Sequence, residues 1–224
     1  MLVDIDVFVN GTLTRSGHFI TRRGHRNQNA GDTMRQEPET VHKDDTLDQA
    51  LGHLATTTDG AITIVDSSRR PLGLLTVHDV TRRAAALFPR GIRLARHSQL
   101  PTTITPQTTV GQALALMGQL TLWDVLVTAR EGTVKGRVAL RNLIVGSGLE
   151  DTSLVSQILS RGHTRPETAS VRTIANAMVK HRTTAIPLVN DKGLLTDVVH
   201  SADLVFATRA LLRRDAERHE SRGP

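Results

Sequence analysis

The chain contains no cysteine. Disulfides, thiolate metal sites and cysteine nucleophiles are therefore excluded. Aromatic residues are only 2% of its 224 residues, namely Phe8, Phe19, Phe88, Phe206 and Trp123. The core must be aliphatic, and a hydrophobic content of 38% suffices to build one. No apolar run approaches the roughly 20 residues that cross a bilayer as a helix. The opening Met1-Leu2-Val3-Asp4-Ile5-Asp6 lacks the basic start and apolar centre of a secretory leader. A soluble, cytoplasmic protein with no membrane partner is expected. Lysine is scarce as well, found only at Lys43, Lys135, Lys180 and Lys192, so arginine carries most of the net charge of +6. That balance favours anionic partners, or simply keeps solvated faces charged. Single-stranded nucleic acid needs aromatic rings beside the cations. Here the rings and the Arg clusters do not interleave, so nucleic acid is not an expected partner. Zinc-protease spacing, a phosphate loop ending in Lys-Ser/Thr and a Gly-x-Ser-x-Gly elbow are all missing. The carboxylates form no obvious catalytic pair. Nothing in the sequence points to an enzyme, a metal or a required cofactor.

One stretch organises what is present: Gly73-Leu74-Leu75-Thr76-Val77-His78-Asp79. Leu74-Leu75 reads as the end of a buried strand. Thr76 followed three residues later by Asp79 is a capping box, with hydroxyl and carboxylate taking orphan amides at a helix start. The same hydroxyl and amides also suit an anion, and a carboxylate accepts two ribose hydroxyls. Capping and ligand binding both remain open at this point.

The stretch recurs. Thr46-Leu47-Asp48-Gln49-Ala50-Leu51 is echoed 63 residues later at Thr109-Val110-Gly111-Gln112-Ala113-Leu114, and a further 61 later at Ser170-Val171-Arg172-Thr173-Ile174-Ala175. Each start is followed by an apolar strand (Ala61 to Val65, Asp124 to Val127, Ala185 to Val189) and then by Asp79, Asn142 or Asp203. Every unit reads as strand, capped helix, two strands and second helix, an α+β pattern. A unit this small cannot bury its own sheet and should stack on another copy.

This β-α-β-β-α unit resembles the cystathionine β-synthase (CBS) domain. The residues carrying the resemblance are Thr46-Leu47 with Ala50-Leu51, Ile64-Val65-Asp66, Gly73 to Asp79, His181 to Gly193 and Asp203-Leu204. It implies tandem repeats paired into a Bateman module, whose clefts often hold adenosine compounds. The implied ligand is AMP, ADP, ATP or S-adenosylmethionine. The implied role is regulatory: sensing that ligand and relaying its state to a protein partner. A ligand-free interaction scaffold is the alternative.

The chain then divides as follows. Residues 1–33 form an N-terminal extension with a hairpin signal at Asn10-Gly11 and return strands at Thr12 to Thr14 and His18 to Thr21. It ends in a polar linker and is readable as the remnant of a fourth repeat with Gly24 at the Asp79 position. Residues 34–92 are repeat one, with Thr76 and Asp79 at its site and Arg82 and Arg83 near a possible phosphate. Residues 93–150 are repeat two, degenerate because Ala139 and Asn142 replace Thr and Asp. Trp123 there fills the core or stacks on a base. Residues 151–208 are repeat three, with His200 and Asp203 at its site. Its His181-Arg182 pair resembles the adenylate-binding repeats in the γ subunit of the AMP-activated protein kinase, which implies a phosphate contact. The pair also fits a solvated helix end, where cations favour the dipole. Residues 209–224 are a basic helical tail with pairs such as Arg213 and Glu217. Repeats one and two are expected to pair. Repeat three lacks an obvious partner and is expected to use its twin in a homodimer, or the N-terminal hairpin.

Overall fold

The computed structural model describes residues 7–9, 12–14, 38–57, 59–95, 101–120, 122–145 and 149–220. β1 (Val7–Val9) pairs antiparallel with β2 (Thr12–Thr14), Phe8 opposite Leu13, and the Asn10-Gly11 signal between them lies outside the described residues. The expected strand at His18 to Thr21, the linker after it and Gly24 lie outside the described residues.

Repeat one is β3 (Thr40–His42), α1 (Leu47–Thr56), β4 (Ala61–Val65), β5 (Pro71–Thr76) and α2 (Val77–Leu87). Repeat two is β6 (Thr103–Ile104), α3 (Val110–Gln119), β7 (Asp124–Thr128), β8 (Val134–Ala139) and a short α4 (Leu140–Val145). Repeat three is β9 (Arg165–Pro166), α5 (Val171–His181), β10 (Ala185–Val189), β11 (Leu195–His200) and α6 (Ser201–Glu220). In each, the central strand runs parallel to the first strand and antiparallel to the last. Each hairpin carries a bulge at the same place, after Ile64, Val127 and Leu188. The expected α+β class and β-α-β-β-α order therefore hold.

Local chemistry explains the boundaries. Thr46 and Thr109 close capping boxes with Gln49 and Gln112, and Ser170 accepts from the Thr173 amide. The hairpin turn needs a left-handed residue, supplied by Gly132 (φ 88°) and Gly193 (φ 75°) but by Arg69 (φ 60°) in repeat one.

The chain falls into two compact units, one of residues 1–36 with 102–162 and one of residues 37–101 with 163–224. In the first, repeat two packs its own aliphatic core around Val127, Val138 and Met117, and Val155 of a 3-10 turn closes it. In the second, repeats one and three share their cores. Ala84 and Phe88 of repeat one lie among Ile174, Ala177 and Met178 of repeat three, while Val205 of repeat three lies among Leu51, Leu54 and Val80. This corrects two expectations: that repeat one pairs with repeat two, and that repeat three turns to a twin or to the N-terminal hairpin. The helices of repeat three pack on those of repeat one, α5 on α2 and α6 on both α1 and α2. Arg172 fastens the contact, donating from Nε to the Phe88 carbonyl (2.9 Å) and from Nη2 to that of Ala86 (3.0 Å). These are the last carbonyls of α2, which have no helical partner of their own.

Three residues stand where the sequence did not put them. Leu74 is 65% exposed rather than buried. Trp123 is also 65% exposed, so it does not fill the core of repeat two. Arg213 reaches across to Asp48 of α1 (Nε to Oδ1, 2.7 Å), and the charge of Glu217, its expected partner, acts on it more weakly. The helical tail itself is present, since α6 continues unbroken to Glu220.

Candidate functional site

The three sites are built by one device. As the last strand of each repeat gives way to its second helix, the first helical amide donates to the residue just before the central strand. Val77 donates to the Gly60 carbonyl (2.9 Å), Leu140 to Trp123 (2.9 Å) and Ser201 to Thr184 (2.7 Å). The two strand ends are thus tied at the mouth of each helix.

In repeat one this mouth holds Thr76 and Asp79. The Thr76 hydroxyl donates to Asp79 Oδ2 (2.6 Å), the Thr76 amide donates to the same oxygen (3.1 Å), and the Asp79 amide donates back to the hydroxyl (3.2 Å). Asp79 Oδ1 lies 3.6 Å from Arg82 Nη2, and the carboxylate side chain is 44% exposed. The Thr76 hydroxyl holds the Asp79 carboxyl below the usual carboxylate range, against the smaller opposing effect of burial. A charged carboxylate thus sits at the positive end of a helix. Arg82 is drawn to Asp79, and Arg83 is exposed.

Repeat two keeps the backbone tie and loses the chemistry. Ala139 is buried at 7%, and Asn142 Nδ2 donates to Ser160 Oγ (3.0 Å).

Repeat three restores the acid. Asp203 Oδ2 accepts from the His200 amide (2.6 Å), the same backbone cap that Asp79 gives Thr76. The His200 side chain is exposed, and Ser201 is buried beneath it. His181 and Arg182 form the end of α5. The His181 ring stacks on that of His163, with centroids 3.5 Å apart and planes 9° from parallel. Arg182 adopts a left-handed cap (φ 48°, ψ 49°), its amide donating to Met178 and Val179 carbonyls, with its side chain exposed. Helix ending is therefore what this pair does in the fold. Its ring partner His163 was not foreseen.

A second feature also escaped the sequence reading. A cavity of about 110 Å³ opens beside Arg93, Glu167, Thr168, Leu188, Asp197 and Val199. Asp197 is 4% exposed, and its Oδ1 accepts from the Val198 amide (2.7 Å). It occupies the repeat position held by Gly73 and Gly136 in the other copies. An acid at a glycine position was the available signal. Among the described residues no cluster of three or more His, Cys, Asp or Glu is arranged to hold a metal ion. No described helix is long and apolar enough to cross a membrane.

Comparison with known proteins agrees with this architecture. Residues 30–86 and 166–209, within repeats one and three, match the CBS domain family. Repeats one and three thus carry the CBS domain match, and repeat two shares their β-α-β-β-α order. No curated protein sequence matches it. Among solved structures it is similar to protein MJ1225 of Methanocaldococcus jannaschii, proposed as an archaeal homolog of g-AMPK. That likeness has TM-score 0.70 and 16% identity, covering 84% of this chain and 75% of the other. A conserved protein of Pyrococcus horikoshii gives TM-score 0.62 and 22% identity, over 77% of this chain and 80% of the other. A CBS domain protein of Pyrobaculum aerophilum, solved with AMP, gives TM-score 0.48 and 21% identity over 53% of this chain and 97% of the other.

Proposed function

We propose that this chain is a non-catalytic regulatory protein of the cytoplasm. It binds an adenine nucleotide or related adenosine ligand at the helix mouths of repeats one and three and relays that state to a protein partner. The observation that carries this reading is the recurrence of one geometry. Asp79 and Asp203 stand at equivalent positions, each with one oxygen in a backbone cap, while the intervening copy has lost the group. A helix needs only a neutral cap to start, as Gln49 and Gln112 show. An acid with an exposed carboxylate is suited to the hydroxyls of a ribose. In this reading Asp79 and Asp203 take ribose hydroxyls. Thr76, His200 and the helix amides meet phosphate, and His181 with Arg182 adds charge in repeat three. No cofactor is required. The relay needs only that the ligand bind one arrangement of the repeats better than another.

A second reading rests on a specific contact. The Thr76 hydroxyl already donates to Asp79 at 2.6 Å, so the two groups satisfy each other without a ligand. That favours an interaction scaffold.

Thermal unfolding with AMP, ADP, ATP and S-adenosylmethionine, and with guanosine nucleotides as controls, separates the two. A ligand at 100 times its dissociation constant adds about 2.7 kcal/mol to the native state. A selective adenosine shift that is reduced in Asp79→Asn and Asp203→Asn supports the sensor. No shift with any ligand, on protein shown to be ligand-free by mass spectrometry, supports the scaffold.

A further inference from the structure

Helix α2 has two unlike faces. Val80, Ala84 and Phe88 are buried in the cores that repeats one and three build together. The other face is turned to solvent and is basic. Between Val77 and Ala95 the chain places Arg82, Arg83, Arg90 and Arg93 and a single acid, Asp79. Arg82 is drawn back to that acid at 3.6 Å. Arg83, Arg90 and Arg93 are exposed, and no carboxylate pairs with them among the described residues. Glu167 and Asp197 line the cavity beside Arg93 and reduce the charge at that end, but Arg83 and Arg90 are not part of its lining.

Contacts in the fold gather these cations around two aliphatic side chains. Arg172 of α5 bonds the carbonyls of Ala86 and Phe88, which brings a fourth guanidinium to the end of α2, beside Leu87 and close to Arg90. The neighbouring Val171 amide donates to the Ile92 carbonyl (2.8 Å), which holds Ile92 and Arg93 at the same end. Arg83 stands four residues before Leu87, one turn back on the same side of the helix. Leu87 and Ile92 are each 46% exposed, so the patch is cationic with an aliphatic centre.

We infer that this end of α2 is a docking surface for an acidic segment of another protein, one that carries aliphatic side chains among its carboxylates. Charge selects the acid. Four guanidinium groups, none paired with a carboxylate among the described residues, are complementary to a carboxylate-rich partner. Arginine suits that task because its planar fork can hold a carboxylate through two bonds at once. Leu87 and Ile92 select a protein over a nucleic acid, whose phosphate backbone offers nothing apolar to cover them. A bilayer surface is disfavoured because it needs a broad apolar helix face, and that face of α2 is already buried in the shared cores. The proposal gives the relay described above its partner chemistry. It rests on that reading for the relay alone, since docking itself needs no nucleotide. Helix α2 starts at the Thr76–Asp79 mouth and ends in this patch, so one element joins the two.

The test uses the full chain without nucleotide. The probe is a fluorescein-labelled synthetic peptide with leucine at the i, i+3, i+4 and i+7 spacing of a helix face and glutamate elsewhere, followed by fluorescence anisotropy. The wild type should bind it more tightly than polyglutamate of the same length, with affinity falling as salt rises. Arg83→Glu combined with Arg90→Glu should weaken peptide binding about tenfold or more, because like charges then face each other. Arg130→Glu combined with Lys135→Glu, the same change in net charge at exposed positions of repeat two, should leave it unchanged. Leu87→Ser should weaken the peptide and not polyglutamate. The proposal is overturned if the peptide does not bind, or if the repeat-two reversals cost as much as those on α2. It is equally overturned if duplex DNA or phosphatidylserine vesicles bind more tightly than the peptide and lose the same factor on the α2 reversals. Circular dichroism checks the fold of the reversals; should they fail it, Arg83→Gln combined with Arg90→Gln decides. Peptide binding without any adenosine-induced thermal shift would retire the sensor and keep the docking surface. A thermal shift without peptide binding would retire the docking surface alone.

Discussion

Arg69 has a backbone φ of 60°, where repeats two and three place Gly132 and Gly193. For an L-residue the left-handed region costs roughly 1–2 kcal/mol. A glycine there gives back part of that gain through its freer unfolded chain, about 0.5–1 kcal/mol. The balance predicts that Arg69→Gly stabilises the protein by up to about 1 kcal/mol, read as a higher denaturation midpoint at unchanged slope. Asp79 makes a pH prediction. Its folded carboxyl titrates below the ordinary value of 3.8 because the Thr76 hydroxyl, and then the Thr76 amide, favour the charged form. A depressed folded value adds stability above the unfolded value and loses it as pH falls through the folded one. Wild type should therefore lose stability below about pH 4 more steeply than Asp79→Asn. At pH 7 the variant should be slightly less stable, the effect being reduced by the exposure of the side chain. Parallel acid-unfolding curves would count against that cap. The Thr76–Asp79 pairing was readable from three-residue spacing alone. The exposure of Leu74 was not, because strand periodicity gives the face a residue takes and not whether anything covers it. Trp123 misled for a related reason: aromatic bulk is usually buried, but its backbone is fixed at the mouth of repeat two by the bond from Leu140.

Helix caps at the starts of α1, α3 and α5 were visible because each depends on residues three apart. How the helices pack on one another depends on residues far apart. Asp48 near the start of α1 is gripped by two arginines of α6. Arg209 donates from Nε at 3.0 Å and from Nη2 at 3.3 Å, and Arg213 donates from Nε at 2.7 Å and from Nη2 at 2.9 Å. The two guanidinium groups, Arg213 first, hold the Asp48 carboxyl well below the usual range, and Asp48 in turn raises Arg213. The Arg209 guanidinium also lies over Gly52, 3.0 Å from where a Cβ would be, so the small residue makes room for the clamp. Asp48→Asn should lower the melting temperature. The clamp is solvent-accessible, so the difference from wild type should shrink in about 1 M salt, where charges are screened within about 3 Å. A difference that persists at high salt would mean that shape rather than charge is lost. No helical periodicity predicts this pairing, since the partners stand 161 and 165 residues apart.

On the scale of the molecule, the repeat fixed the order of elements but not which copies meet. Repeats one and three match the CBS family and share cores in one unit, although repeat two lies between them in sequence. The reason is in the helix faces. Ala84 on α2 and Ala177 on α5 are wholly or almost wholly buried, at 0% and 2% exposure, and such small side chains let the helices approach closely. Met178 beside them is fully buried and touches a core built from both copies. Nothing in the alternation of apolar and polar residues says whether such a face meets a sister repeat one or two places along the chain. The shared core makes a prediction that separate cores would not. Met178→Ala leaves a cavity and should cost about 2–5 kcal/mol. The residue belongs to repeat three, but the loss should be felt equally in repeat one, because Ala84 and Phe88 pack in the same cluster. Native-state hydrogen exchange reads this directly. Protection of the slowest amides in α2 should fall by the same factor as in α5, since both open only when the common core does. Faster exchange in α5 with α2 unchanged would show two cores in contact rather than one, and would make repeat one a folding unit in its own right.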